Sequence, residues 1–188
     1  SGITIRGLRV QEFKGKGILV AAGANNNIIG GSRAAGAAPH GQGNVIVTSS
    51  ENGIEILGSG NQVLGNDIGV KDIVPAGNGY NGIAVWQGAA NNTIGGSDGN
   101  YRNVVGTNRH NGIWIAGSGT HGNRVLGNLI GIMRDGTDAP NLYAGVAIQS
   151  GASANDIGGT TSGEGNTISR NGQNGIYISD SGTRLNRV

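Results

Sequence analysis

The chain has 188 residues, of which 39 are Gly and, counted along the sequence, 23 are Asn, while aromatic residues make up 4% and charged residues 13%. Gly and Asn at this density exclude a coiled coil or helix bundle, no run reaches the roughly 20 apolar residues of a membrane span, and recurring Ile and Val argue against general disorder. Thirteen Lys and Arg against eleven Asp and Glu leave a net +2, too little to imply nucleic acid or an anionic membrane as partner, and the absence of Cys excludes disulfides and thiolate metal sites.

The chain opens in a β-like run, Ile3-Thr4-Ile5, and closes in another, Asn186-Arg187-Val188. This is expected of a single domain, residues 1–188, that is a piece of a longer repeat array. Open coil ends would expose unpaired strand edges, so end-to-end self-association is expected, or a segment folded across each end. Between the two runs the sequence repeats itself. Gly17-Ile18 through Gly31 aligns with Gly82-Ile83 through Gly96, and again with Gly145-Val146 through Gly159, which sets a unit of about 63 residues. Asn52-Gly53-Ile54, Asn111-Gly112-Ile113 and Asn174-Gly175-Ile176 repeat likewise.

Two shorter phrases recur inside the unit. Asn-x-Ile/Val and Gly-Ile/Val-x-Ile/Val interleave into two rows of aliphatic residues. One row runs Val20, Ile46, Val63, Val85, Val105, Val125, Ile148, Ile168, Val188, and the other Ile5, Ile29, Ile56, Ile68, Ile94, Ile115, Ile130, Ile157, Ile178. A mean spacing near 21 residues predicts a β-solenoid of about nine coils, with strands of two to four residues that turn every second side chain inward. A narrow interior suits β-branched aliphatics, and Gly and Asn suit the corners. Nine Asn residues stand two positions before an inward Ile or Val: Asn27, Asn44, Asn61, Asn92, Asn103, Asn123, Asn155, Asn166 and Asn186. Stacked on successive coils, they are expected to form a hydrogen-bonded ladder. Two stretches exceed the repeat. Ser32 to Gly43 is an inserted small-residue loop, and Val70 to Tyr80, with its counterpart Ile132 to Tyr143, lengthens another corner. Such loops usually decorate one binding face.

The phrases Asn92-Thr-Ile-Gly-Gly96, Asn111-Gly-Ile-Trp-Ile115, Gly122-Asn-Arg-Val-Leu-Gly-Asn-Leu-Ile-Gly131 and Gly145-Val-Ala-Ile148 carry a family resemblance. The chain resembles the right-handed parallel β-helix repeat proteins of the pectate-lyase-like superfamily, over essentially its whole length. The resemblance implies an all-β, right-handed parallel β-helix and a secreted or cell-surface setting. It leaves function open, because the superfamily holds lyases, hydrolases, epimerases, adhesins and phage fibres.

Chemistry is sparser than fold. Enzymes that the chain resembles work with carboxylates on an outer sheet face, either as calcium ligands beside an Arg base or as clustered Asp residues with a Gly-His-Gly segment. Neither an Asp-Asp pair nor Gly-His-Gly occurs. His40, His110 and His121 fall in loops and read as solvated. In the two-row register Glu55 and Asp67 become outward neighbours on adjacent coils, about 5 Å apart, a separation at which retaining glycosidases place their carboxylates. They are the catalytic candidates. Trp114, Trp86, Tyr177 and Thr93 are the candidate ligand-binding residues, since exposed aromatic rings on a solenoid face favour carbohydrate or a protein partner. No cofactor is implied. Calcium stands as a weak candidate at the oxygen-rich turns holding Asp98, Asp135 and Asp138, which Asx turns explain more simply. The reading favoured from sequence is a non-catalytic solenoid presenting a glycan- or protein-binding face, with a polysaccharide lyase, glycoside hydrolase or epimerase as the alternative and a structural spacer as the third reading.

Overall fold

A computed structural model describes residues 1–37, 39–72 and 74–188. Ala38, within the loop expected from Ser32 to Gly43, and Ile73, within that from Val70 to Tyr80, lie outside the described residues. The described chain is nearly all β, with one 3₁₀ turn at Gly99–Tyr101, and no helix long and apolar enough to cross a membrane.

Three six-stranded parallel sheets run the length of the molecule. The first contains Thr4–Ile5, Ile28–Gly30, Gln62–Leu64, Thr93–Gly95, Arg124–Leu126 and Asp156–Ile157. The second contains Arg9–Gln11, Val45–Val47, Asp67–Ile68, Val104–Val105, Leu129–Ile130 and Thr167–Ile168. The third contains Ile18–Val20, Ile54–Ile56, Ile83–Val85, Ile113–Ala116, Val146–Gln149 and Ile176–Ile178. The chain visits the three sheets in that order and climbs one strand per circuit, which is a parallel β-helix. Isolated bridges Ser153–Arg184 and Asp156–Arg187 begin the next turn.

The coil number expected from sequence needs correction. Ile94 pairs with Val63 below and Val125 above, so one circuit takes about 31 residues and the sheets hold six coils. The expected two rows are three columns read in the wrong order, with Val10 of the second sheet left out and Val188 lying beyond the last first-sheet strand. Val105 pairs with Ile68 and Ile130 in the second sheet, whereas Val125 belongs to the first. The cause is arithmetic. Each circuit holds three inward Ile or Val positions, so taking every second one gives a spacing two-thirds of the true coil. A 63-residue unit accommodates either three short turns or two long ones.

Inward residues form a continuous aliphatic column. Ile29, Val63, Ile94 and Val125 of the first sheet meet Ile46, Ile68, Val105 and Ile130 of the second and Ile56, Val85, Ile115 and Ile148 of the third, all fully buried. Full burial of each such side chain contributes about 1.5–3 kcal/mol, and no coil could achieve it alone. A smaller cluster, Val70, Val104, Leu129, Met133 and Ala139, lies outside the second sheet beneath its loops.

Polar corners complete the circuit. The expected Asn ladder exists, but it divides into separate stacks. Asn27, Asn61, Asn92, Asn123, Asn155 and Asn186 precede the first sheet, and each donates its backbone N–H and Nδ2 to Oδ1 of the next. Asn44, Asn66, Asn103, Asn128 and Asn166 do the same before the second sheet. Two further stacks were not expected. Asn78, Asn108, Asn141 and Asn171 form one after the second sheet. Asn52, Asn81 and Asn111 form the other, before the third sheet and with opposite polarity, the later residue donating to the earlier. The corners also need left-handed backbone. Gly95 has φ +84°, and a Cβ there would fall 2.0 Å from the Leu126 carbonyl oxygen.

Candidate functional site

The outer face of the third sheet concentrates chemistry. In its Ile/Val-x-Ile/Val strands the outer side chains, coil by coil, are Leu19, Glu55, Ala84, Trp114, Ala147 and Tyr177. A second column lies at the corner entering the sheet. Gly15, Glu51, Tyr80, His110, Tyr143 and Gln173 stack there, each N–H bonded to the carbonyl of the residue before it in the column. The rings of Tyr80 and His110 lie 4.5 Å apart, and those of His110 and Tyr143 4.3 Å apart. Trp86 follows its strand on the far side and meets Trp114 at 6.0 Å with the planes tilted by 45°.

One trough opens where the fourth Asn stack begins. In the coil preceding Asn52 the equivalent position is Lys16, since Gly17 N–H bonds to Asn52 O just as Gly53 N–H bonds to Asn81 O. Asn52 therefore has no earlier ladder partner, and its Nδ2 donates to Glu55 Oε2 at 2.6 Å. Glu55 is only 5% exposed. Lys16 Nζ sits 2.6 Å from Glu51 Oε2 and 4.0 Å from Glu55 Oε1. Hydrogen bonding to Glu51, with the field of both carboxylates, holds the Lys16 ammonium above its ordinary pKa. Tyr80, Trp86 and Trp114 wall this trough of about 340 Å³, and the buried Trp86 Nε1 has no hydrogen-bond partner among the described residues. Further along the same face a second trough of about 290 Å³ is lined by His110, Tyr143, Gln149, Gln173, Asn174 and Tyr177. Trp114, which lines the first trough, donates from Nε1 to Oε1 of Gln149 in the second at 3.0 Å. His110 Nδ1 lies 2.8 Å from Asn111 Nδ2 and 3.1 Å from Asn81 Oδ1, so the fourth stack grips the ring. Burial lowers its pKa from the ordinary histidine value, which favours neutral imidazole.

The expected Glu55–Asp67 pair does not form. Glu55 pairs with Leu19 and Ala84 in the third sheet, whereas Asp67 pairs with Val45 and Val104 in the second. Thr93 also leaves the aromatic face, lying in the first sheet between Gln62 and Arg124. Trp86, Trp114 and Tyr177 share the third-sheet face, with Ala147 between Trp114 and Tyr177. Asp67 sits instead at a clasp over the second sheet. Its Oδ2 accepts from Arg33 Nη1 at 3.0 Å and lies 2.9 Å from His40 Nδ1, and Arg134 Nη2 approaches Oδ1 at 3.5 Å. His40 Nε2 reaches Asp72 at 3.1 Å. The expected solvated His40 is therefore wedged between two carboxylates, with its side chain 17% exposed. Burial beside Arg33 lowers the Arg134 pKa to about 10. Val70, Val104 and Met133 floor a cavity of about 310 Å³ under this clasp.

The carboxylates of the calcium-candidate turns have protein partners. Asp98 caps the 3₁₀ turn by accepting from Asn100, Asp135 accepts from Thr137 N, and Asp138 pairs with Arg170 at 2.8 Å. Among the described residues no three His, Asp or Glu side chains converge as a metal site. Sequence reasoning missed Lys16, Glu51 and the Tyr80–His110–Tyr143 column. Their signal was present. These residues occupy, or immediately precede, the repeated Asn-Gly corner, as in Glu51-Asn52-Gly53, Tyr80-Asn81-Gly82 and His110-Asn111-Gly112.

No family model matches the chain, and no curated protein matches it. Among solved structures it is similar to a mutant of the periplasmic alginate epimerase AlgG, with a TM-score of 0.60 and 18% identity, over 100% of this chain and 40% of that one. At that identity the likeness is one of fold, and it supports the parallel β-helix read from the repeats. The chain spans about 40% of the epimerase's length.

Proposed function

We propose that the chain is a glycan-binding β-helix that works outside the cytoplasm, with the third-sheet face as its binding groove. One observation carries the reading. Three aromatic rings line a trough that also holds a nearly buried carboxylate and a Lys ammonium. Aromatic faces stack on the apolar faces of sugar rings, and a few fixed polar groups set orientation. The periplasmic setting of the similar epimerase supports the proposed location. Isothermal titration with oligosaccharides, with product release scored separately, tests the reading. Binding that falls at least tenfold on Trp114→Ala without turnover supports it, and binding indifferent to both Trp114→Ala and Trp86→Ala removes it.

A second reading, turnover of the bound polysaccharide, has its own observation. Burial lowers the His110 pKa, and the ring lies between two Tyr rings and lines the second trough of the same face. Neutral imidazole is a competent general base. Release of new ends or epimerised sugar, abolished by His110→Gln, would establish this reading over simple binding.

A further inference from the structure

We propose that the sugar seated at Glu55 carries a protonated amine, so that the groove selects amino-sugar oligomers over neutral and uronic ones; this rests on the glycan reading above. Glu55 is 5% exposed, and its two oxygens are served unequally. Oε2 accepts from Asn52 at 2.6 Å. Oε1 has no hydrogen-bond donor among the described residues, and the nearest cation, Lys16 Nζ, stands 4.0 Å away because it is drawn to Glu51 at 2.6 Å. The trough thus holds two carboxylates for one ammonium. Glu55 lines the trough, and a ligand N–H⁺ reaching its donor-free Oε1 makes a charge-assisted hydrogen bond.

Two further features agree. Tyr80, Trp86 and Trp114 line the trough, and aromatic faces attract cations, Trp most strongly. The second trough is lined by phenol, amide and imidazole groups with no Arg or Lys, so nothing along the face is built to neutralise a carboxylate on every sugar. A uronic chain would bring its own carboxylates against Glu51 and Glu55, and like charges across an interface are rejected. From Glu55 to Tyr177 the face spans four strand steps, roughly 19 Å along the axis, so the ligand is an extended oligomer lying across the coils.

The test is titration calorimetry of the whole chain at pH 6 with four tetramers: glucosamine, N-acetylglucosamine, glucose linked as in cellulose, and mannuronate. The glucosamine tetramer is expected to bind at least tenfold more tightly than its acetylated counterpart, and the mannuronate tetramer not at all. Glu55→Gln should bring the first two within threefold of each other with the melting temperature unchanged. Lys16→Gln, which frees both carboxylates, should tighten the amine severalfold and provides a second variant if Glu55→Gln folds poorly. Equal or tighter binding of the acetylated or uronic tetramer overturns the proposal. If the cellulose-type tetramer binds and is lost on Trp114→Ala while the amine adds nothing, the glycan reading stands and this one fails. If no tetramer binds, both fail.

Discussion

Replacing Asn92 by Ala removes one rung from the middle of the longest Asn stack, and the structure states which groups are stranded. Asn92 Oδ1 accepts from Asn61 N at 2.8 Å and Asn61 Nδ2 at 3.0 Å, while its Nδ2 donates to Asn123 Oδ1 at 2.9 Å and Gly58 O at 3.1 Å. Asn61 and Asn92 have no exposed surface. Asn123 Oδ1 keeps a donor in Asn92 N at 3.0 Å, so it is spared. Two donors on Asn61 and one carbonyl on Gly58 lose their partner. Each buried orphan costs about 1–3 kcal/mol, so the variant should lose about 3–6 kcal/mol, allowing for some water entry. Asn174→Ala provides the control. It sits in the same Asn-Gly-Ile phrase as Asn111, yet its side chain is exposed and makes no hydrogen bond, so its change should stay within about 0.5 kcal/mol. Urea unfolding gives both numbers, and amide exchange should show protection lost first at Asn61. If Asn92→Ala destabilises by less than about 1 kcal/mol more than Asn174→Ala, the stacks are decoration and not support.

Other expectations follow from single contacts. His110 has a folded pKa below its unfolded value, because burial disfavours imidazolium. The unfolded chain therefore binds more protons between those two values, so stability rises with pH up to about 6.5 and then levels. His110→Phe should flatten that rise in a series of thermal melts from pH 5 to 8, and an unchanged slope would show that the imidazole is not its source. Gly95→Ala puts a Cβ on left-handed backbone 2.0 Å from a carbonyl oxygen, which should cost roughly 2–5 kcal/mol in urea unfolding; a loss under 1 kcal/mol would mean the corner can move aside. Asp67→Ala leaves Arg33 and Arg134 without their shared carboxylate. A loss of roughly 3 kcal/mol is expected, with oligosaccharide titration unchanged, because Asp67 and the aromatic groove lie on different sheets. A parallel loss of glycan affinity would contradict that separation.

Much of this molecule was legible in the order of its residues. The Ile or Val at the second position after a corner Asn faces inward along the stacked coils, Val188 at the last one being exposed; the nine expected Asn residues do join ladders, and the parallel β-helix follows from strands too short to bury anything except by stacking on their equivalents. Glu55, Trp114 and Tyr177 were identified one by one as outward residues. Which of them are neighbours was not legible. Ile46, Val63 and Val85 are interchangeable as side chains, so their spacing alone is satisfied by two columns of short coils or three of long ones. Hydrogen-bond register between coils decides between the two, and it sends Asp67 to a different face from Glu55 and brings Tyr80, His110 and Tyr143 into one stack. Side-chain direction is a local property of a two-residue alternation, whereas adjacency across a solenoid depends on how far the chain travels before it closes a turn.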